Sequence, residues 1–242
     1  MLRAFRRPDE WLTSAELSRR AGLPEASGYR LIQTLMEVGA VVCGPRGRYR
    51  PGMLLVSLSQ NVSIGELLRD ASHDIMRELS SNLKLIAHIG ILEDGMVSYV
   101  AKVGDSSEMS IHTRVGSQLE AYCSGLGKVL LAALPSDALE AFMLDGDFVA
   151  LTPHTITDRA VLRVELDTVR IQGYATDDQE NSLGLCCIAV PIRDAEGRTV
   201  AALSVSGEAS HMAAHRQEGL RDALLAAAAA IRRNVFPGNK VA

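Results

Sequence analysis

Six side chains between Ser27 and Arg48 carry the most pointed chemistry in this chain. Ser27, Tyr29, Arg30 and Gln33 place a hydroxyl, a phenol, a guanidinium and an amide close together, and Arg46 and Arg48 follow on either side of Gly47. Groups of these types hydrogen-bond to base edges and phosphates. The patterns that covalent chemistry needs do not occur. Gly125-Leu126-Gly127-Lys128 is too short for a phosphate loop, and there is no nucleophile elbow or Ser/His/Asp order of known spacing. Cys43, Cys123, Cys186 and Cys187 form no C-x-x-C pair, so neither a zinc knuckle nor a disulfide framework is expected. Reduced thiols in a cytoplasmic protein fit this usage. His88 and His112 are expected on strands as core or surface side chains. No catalytic residue, metal or cofactor is expected.

The surrounding sequence supplies elements to hold the six. Thr13-Ser14-Ala15-Glu16 has the form of a capping box, which starts a short helix carrying Ala15, Leu17 and Ser18. Gly22 suits a tight turn with positive φ, Pro24 suits the start of a second helix, and Gly39 suits its end near Val38. At about 100° per residue, Gly28, Leu31, Ile32, Leu35 and Val38 share the face predicted to pack. Ala26, Tyr29, Arg30, Gln33 and Glu37 share the other. Val41–Cys43 and Arg48–Arg50 flank Gly44-Pro45-Arg46-Gly47 as a hairpin, whose tip would set Arg46 and Arg48 beside a phosphate backbone. This is the pattern of a winged helix-turn-helix. An ordinary helical hairpin with a β-hairpin attached has the same pattern, and charge separates the two. Residues 1–58 hold 9 Lys+Arg and 5 Asp+Glu, a net of +4; the remainder holds 16 and 24, a net of −8. A basic segment on an acidic body points to nucleic acid.

The 242 residues suffice for two modest domains, and 47% hydrophobic content is that of a globular chain. No apolar run approaches a membrane span, and the N-terminus has no signal-peptide core. Ser59 to Arg69 reads as a linker, overlapping a helix from about Ile64 to Asn82. Strands are expected at Ile86–Leu92, Met96–Val100, Met109–Arg114, Gly184–Ile192 and Thr199–Ser206. Helices are expected at Ser124–Leu134, Leu162–Gln172 and Ala223–Ile231. This order suggests an α+β domain around an antiparallel sheet. Lys128 is expected as a helix-surface charge, and Asp177, Asp178 and Glu180 as a solvated turn.

The chain resembles the IclR family of bacterial transcription regulators. The N-terminal match lies in Ala21-Gly22-Leu23-Pro24, Tyr29-Arg30-Leu31 and Gly47-Arg48-Tyr49-Arg50. The C-terminal match lies in residues 124–132, in Thr152-Pro153-His154-Thr155-Ile156-Thr157-Asp158, and in residues 173–180, 184–192 and 201–207. The resemblance implies a winged helix-turn-helix at 1–58, a linker and connecting helix at 59–82, and a GAF-like effector-binding domain at 83–242. It also implies a homodimer or homotetramer on double-stranded operator DNA, more often a repressor than an activator. Carried over residue by residue, it places a small organic-acid effector among Leu119, Gly125, Leu126, Asp177, Leu185, Cys187, Ser204 and Ser206, with Met109 and Ile111 as additions. The N–H groups of Ser124-Gly125-Leu126-Gly127, ahead of a helix, suit a carboxylate. Ser204 and Ser206, two apart on a strand, would present hydroxyls to one side. Ala121-Tyr122-Cys123 tilts the acid toward an aromatic one.

Three departures from the family stand out. Only Met1 to Arg7 precede Pro8 where a full first helix is usual, so residues ahead of Met1 are expected to be missing. Gly28 replaces a larger packed residue, at roughly 1 kcal/mol relative to Ala and more if a void is left. Glu25 stands where a basic residue is frequent. The alternatives are a thiol-dependent enzyme built on Cys187 and a sensor that no longer binds DNA. No basic neighbour in sequence would lower the Cys187 pKa, so apolar packing between Leu185 and Ile188 is expected of it.

Overall fold

The computed structural model describes residues 1–7, 9–104, 113–213 and 217–236. Met109, Ile111, His112 and most of the strand expected at 109–114 lie outside the described residues. The chain divides into two compact units, residues 1–63 and 64–242.

The first unit runs β1 (Leu12–Thr13), α1 (Ser14–Arg20), α2 (Glu25–Glu37), β2 (Val41–Cys43), β3 (Arg48–Pro51) and α3 (Met53–Ser59). Its three strands pair antiparallel in the order β1-β3-β2. The capping box forms as its residues predict: Thr13 Oγ1 accepts from the Glu16 N–H at 3.3 Å, and the Thr13 N–H donates to Glu16 Oε2 at 2.8 Å. Gly22 and Gly39 take φ of 67° and 76°, closing α1 and α2. Helix α3 carried no capping signal and went unforeseen.

The buried face of α2 is rotated from the expected one. Gly28 and Ile32 are buried and Leu35 and Met36 pack on the core, while Leu31 and Val38 stand 38% and 54% exposed. The cause is the crossing with α1. A Cβ on Gly28 would lie 1.9 Å from Ser18 Oγ and 2.7 Å from Ser18 Cβ. The helices therefore meet at backbone distance here, and no void is left at Gly28.

In the second unit α4 (Ile64–Leu83) is already helical across part of the expected linker. There follow β4 (Ile86–Glu93), β5 (Met96–Val103), β6 (Gln118–Glu120), α5 (Gly125–Ala132), α6 (Ser136–Asp145), α7 (Arg159–Gln172), β7 (Ala175–Asp178), β8 (Leu185–Arg193), β9 (Thr199–Glu208), α8 (Ala209–Ala213) and α9 (Gln217–Val235). The six strands pair antiparallel in the order β6-β5-β4-β9-β8-β7. Alternation divides the sheet into two faces. Ile89, Ile188, Val190, Leu203 and Val205 pack with Met76 of α4 and with Leu224 and Ile231 of α9. The other face turns Val97, Ala175, Ala189 and Ala202 toward α5 and α7. The molecule is thus α+β, as expected. Among the described residues, no helix is long and apolar enough to cross a membrane.

Gly28→Ala is expected to destabilise the first unit by about 1–3 kcal/mol through overpacking. Adding Ser18→Gly should recover part of the loss. Thermal denaturation of the single and double variants checks this; equal effects in both backgrounds would contradict the crossing.

Candidate functional site

The six polar residues of the first unit lie on α2 and the hairpin. Ser27, Tyr29 and Arg30 are exposed on α2, Tyr29 at 51%, and Gln33 is half-buried beside them. Packing Gly28 and Ile32 against α1 is what turns this face outward. Arg46 and Arg48 are exposed at the hairpin tip, where Arg46 itself takes φ of 61°. One further feature of the hairpin escaped the sequence. The Arg50 guanidinium stacks 4.9 Å from the Trp11 ring centroid, and Trp11 occupies the space beside Gly44 that a Cβ would need. Arg20 is committed internally, to Glu10 Oε1 at 2.8 Å and to the Ala4 carbonyl.

In the second unit the sheet register brings most of the candidate pocket together. Asp177, Cys187, Ser206 and Ile86 are partners across β7, β8, β9 and β4, so their side chains share one face. The neighbouring row is Ala175, Ala189, Ser204, His88 and Lys102, and the next is Pro191, Ala202, Gly90 and Tyr99. The start of α5 lies over this floor. A Cβ on Gly125 would sit 2.6 Å from Cys187 Sγ, and one on Gly90 would meet Leu126 and Val97. Leu119 is half-buried at the far edge, paired with Val97, and Leu185 opens β8 two residues before Cys187.

The floor is polar and closed. Asp177 is 4% exposed and its Oδ1 accepts the Glu180 N–H at 2.7 Å. Burial pushes its carboxyl up to about 7, against the opposing pull of the Glu180 N–H. Burial also raises the Cys187 thiol, as does the Asp177 charge. Cys187 is thus held protonated between Asp177 and Ser206 and is not an activated nucleophile. His88 bridges Thr113, at 2.7 Å from Nε2, and Ser206, at 3.4 Å from Nδ1. Burial drives its pKa to about 3, so it is neutral, and its ring packs 4.9 Å from Tyr99.

Four expectations are corrected. Lys128 is not a surface charge: it is 1% exposed, and its Nζ donates to Glu180 Oε1 at 2.6 Å and to Glu165 Oε1 at 3.1 Å. Together these carboxylates outweigh the desolvation of the ammonium and hold its pKa above the ordinary lysine value. Of the run expected as a solvated turn, Asp178 is exposed but Asp177 and Glu180 are buried, and Thr152 and Thr155 also donate to the Glu180 carbonyl. Of the backbone donors counted before α5, the Gly127 N–H is already taken by Ser124 Oγ. Tyr122 is likewise committed, donating to the Val149 carbonyl and packing on Phe148; the aromatic side chain on the floor is Tyr99. Tyr99 was missed; His88, expected on a strand as a core or surface side chain, is buried on β4, where alternation turns it to this face, opposite Ala87 and Ile89.

Lys128→Met leaves the buried Glu180 carboxylate, and the half-buried Glu165 beside it, without their cation. A loss of about 3–5 kcal/mol is expected in urea unfolding; a change below 1 kcal/mol would show that the network bears little of the fold.

Residues 63–233 match the bacterial transcriptional regulator IclR C-terminal domain, and residues 1–42 match the IclR helix-turn-helix domain. The HTH-type transcriptional regulator KdgR of Escherichia coli is 35% identical over 196 residues, 79% of this chain and 73% of that protein. XynR of the same organism is 32% identical over 224 residues, 92% of this chain and 88% of that protein. Among solved structures, an IclR homolog from Microbacterium hydrocarbonoxydans, complexed with 4-hydroxybenzoate, is similar with a TM-score of 0.66 at 26% identity, covering 97% of this chain and 95% of that one.

Proposed function

The chain belongs to the IclR family of bacterial transcriptional regulators, and we propose that it is a ligand-responsive regulator of a catabolic operon for a small carboxylic acid. It works in the cytoplasm as a homodimer or homotetramer on operator DNA, with repression as the default sign. The observation that carries this reading is the row Asp177, Cys187, Ser206, buried or half-buried and polar, beneath the start of α5. Ser204, Ser206 and the backbone at Gly125 and Leu126 supply hydrogen-bond donors, while Leu119, Leu126 and Leu185 supply apolar wall. Tyr99 beside this row and the 4-hydroxybenzoate in the Microbacterium homolog favour an aromatic acid. The raised Cys187 thiol argues against a thiol enzyme, for which Cys187→Ser would abolish turnover. On DNA, Ser27, Tyr29, Arg30 and Gln33 contact bases and nearby phosphates, and Arg46 and Arg48 contact the backbone. The acid acts by favouring one arrangement of the paired DNA-binding units.

Fluorescence anisotropy with DNA from the gene's own upstream region, across a salt series, tests the DNA half of this. Arg46→Ala and Arg48→Ala should each flatten the slope of log affinity against log salt by about 1, equally for specific and random DNA. Arg30→Ala should instead cost about 1–3 kcal/mol on the specific sequence. A wild-type chain that prefers no upstream sequence over random DNA would contradict the reading.

A further inference from the structure

We propose that the pocket takes its acid as an anion together with one proton, which resides on Asp177 in the complex. This rests on the effector reading above. Its basis is the charge inventory of the floor. Asp177 is the one carboxylate among the described residues of the row that includes Cys187 and Ser206, and it is buried. The nearby cation is committed elsewhere: Lys128 serves both Glu180 and Glu165, so that knot already carries a surplus negative charge. Glu180 Oε2 is buried with no hydrogen-bond partner, so this part of the knot has no donor to spare for a second anion.

The other groups that face Asp177 bring no positive charge. Cys187 comes from β8, Tyr99 from β5 and Cys123 from the segment before α5. Burial keeps all three protonated and neutral. His88, one row away, is neutral as well. Lys102 stands at the far end of that row, across β4 from Asp177's side of the sheet, with its Nζ donating to the Thr113 carbonyl.

A second carboxylate placed here meets the first in a medium that screens poorly, and two such charges cannot both persist. One proton resolves the conflict. It comes from solvent, forms an O–H bond on Asp177, and is donated as a hydrogen bond to the effector carboxylate; it returns to solvent when the effector leaves. Asp177 and not the effector carries it, because burial has already moved this carboxyl to about 7, above the range of an ordinary organic acid. The direction follows. Below about pH 7 the free protein already holds the proton, and binding takes up almost none. Above it, binding must draw a proton, and affinity falls by up to tenfold per pH unit.

Titration calorimetry of the full chain with sodium 4-hydroxybenzoate and with sodium pyruvate, in buffers of differing ionisation heat, reads the proton directly. At about pH 8 the buffer dependence should report close to one proton taken up, and at about pH 6 close to none. Asp177→Asn, which cannot ionise, should bind about tenfold more tightly than wild type at about pH 8 and lose the pH dependence. Binding without buffer-dependent heat at about pH 8 would overturn the proposal and leave the effector reading intact. So would an Asp177→Asn chain that keeps the wild-type pH dependence, which would put the proton on another group. Absence of heat with both acids, from protein that binds its DNA, would remove the acid effector and this proposal with it.

Discussion

Lys128 of α5 gives one ammonium to two carboxylates from different parts of the chain, Glu165 on α7 and Glu180 after β7. The rest of the candidate pocket follows from this knot. Glu180 is fixed at both ends, its side chain by Lys128 and its carbonyl by Thr152 and Thr155. Its N–H therefore has a set direction, and that N–H holds Asp177. The same lysine pins the first turn of α5, which Gly125 lets lie directly on Cys187. A buried ion pair is weak evidence for stability but a good device for register, since a displaced partner leaves a charge with no solvent.

The sheet makes the complementary contribution. Its α4 and α9 face is aliphatic and closely filled, so the strand register cannot slip without exposing Ile89, Val190 and Leu203. That fixed register lines up Asp177, Cys187 and Ser206 on the opposite face. Packing on one side thereby places the chemistry on the other. In the first unit the equivalent constraint is the Gly28–Ser18 crossing, which decides that Tyr29 and Arg30 look outward.

What was legible in the sequence was local. Thr13 with Glu16, Gly22 and Gly39 act within a few residues of themselves, and they define α1 and α2 without help from the fold. What was not legible depends on distance along the chain. Lys128 and Glu180 lie 52 residues apart, so each alone reads as a surface charge. The rotation of α2 follows from Ser18 on another helix, and helical periodicity places Leu31 and Val38 inside because it knows nothing of that contact. The pocket positions came from family resemblance, and the register now gives a physical reason why Asp177, Cys187, Ser204 and Ser206 belong to one surface.

The central claim is that the polar floor of one unit governs what the exposed helix face of the other binds. Its most direct test is the affinity of the full chain for its own upstream DNA, measured by anisotropy with and without saturating 4-hydroxybenzoate at fixed salt and pH. The account predicts a change of about 5- to 150-fold, the usual range of allosteric coupling, removed by Ser204→Ala with Ser206→Ala while DNA affinity without the acid persists. Calorimetric binding of the acid that leaves DNA affinity unchanged would contradict it, because a ligand with no preference between two states shifts neither.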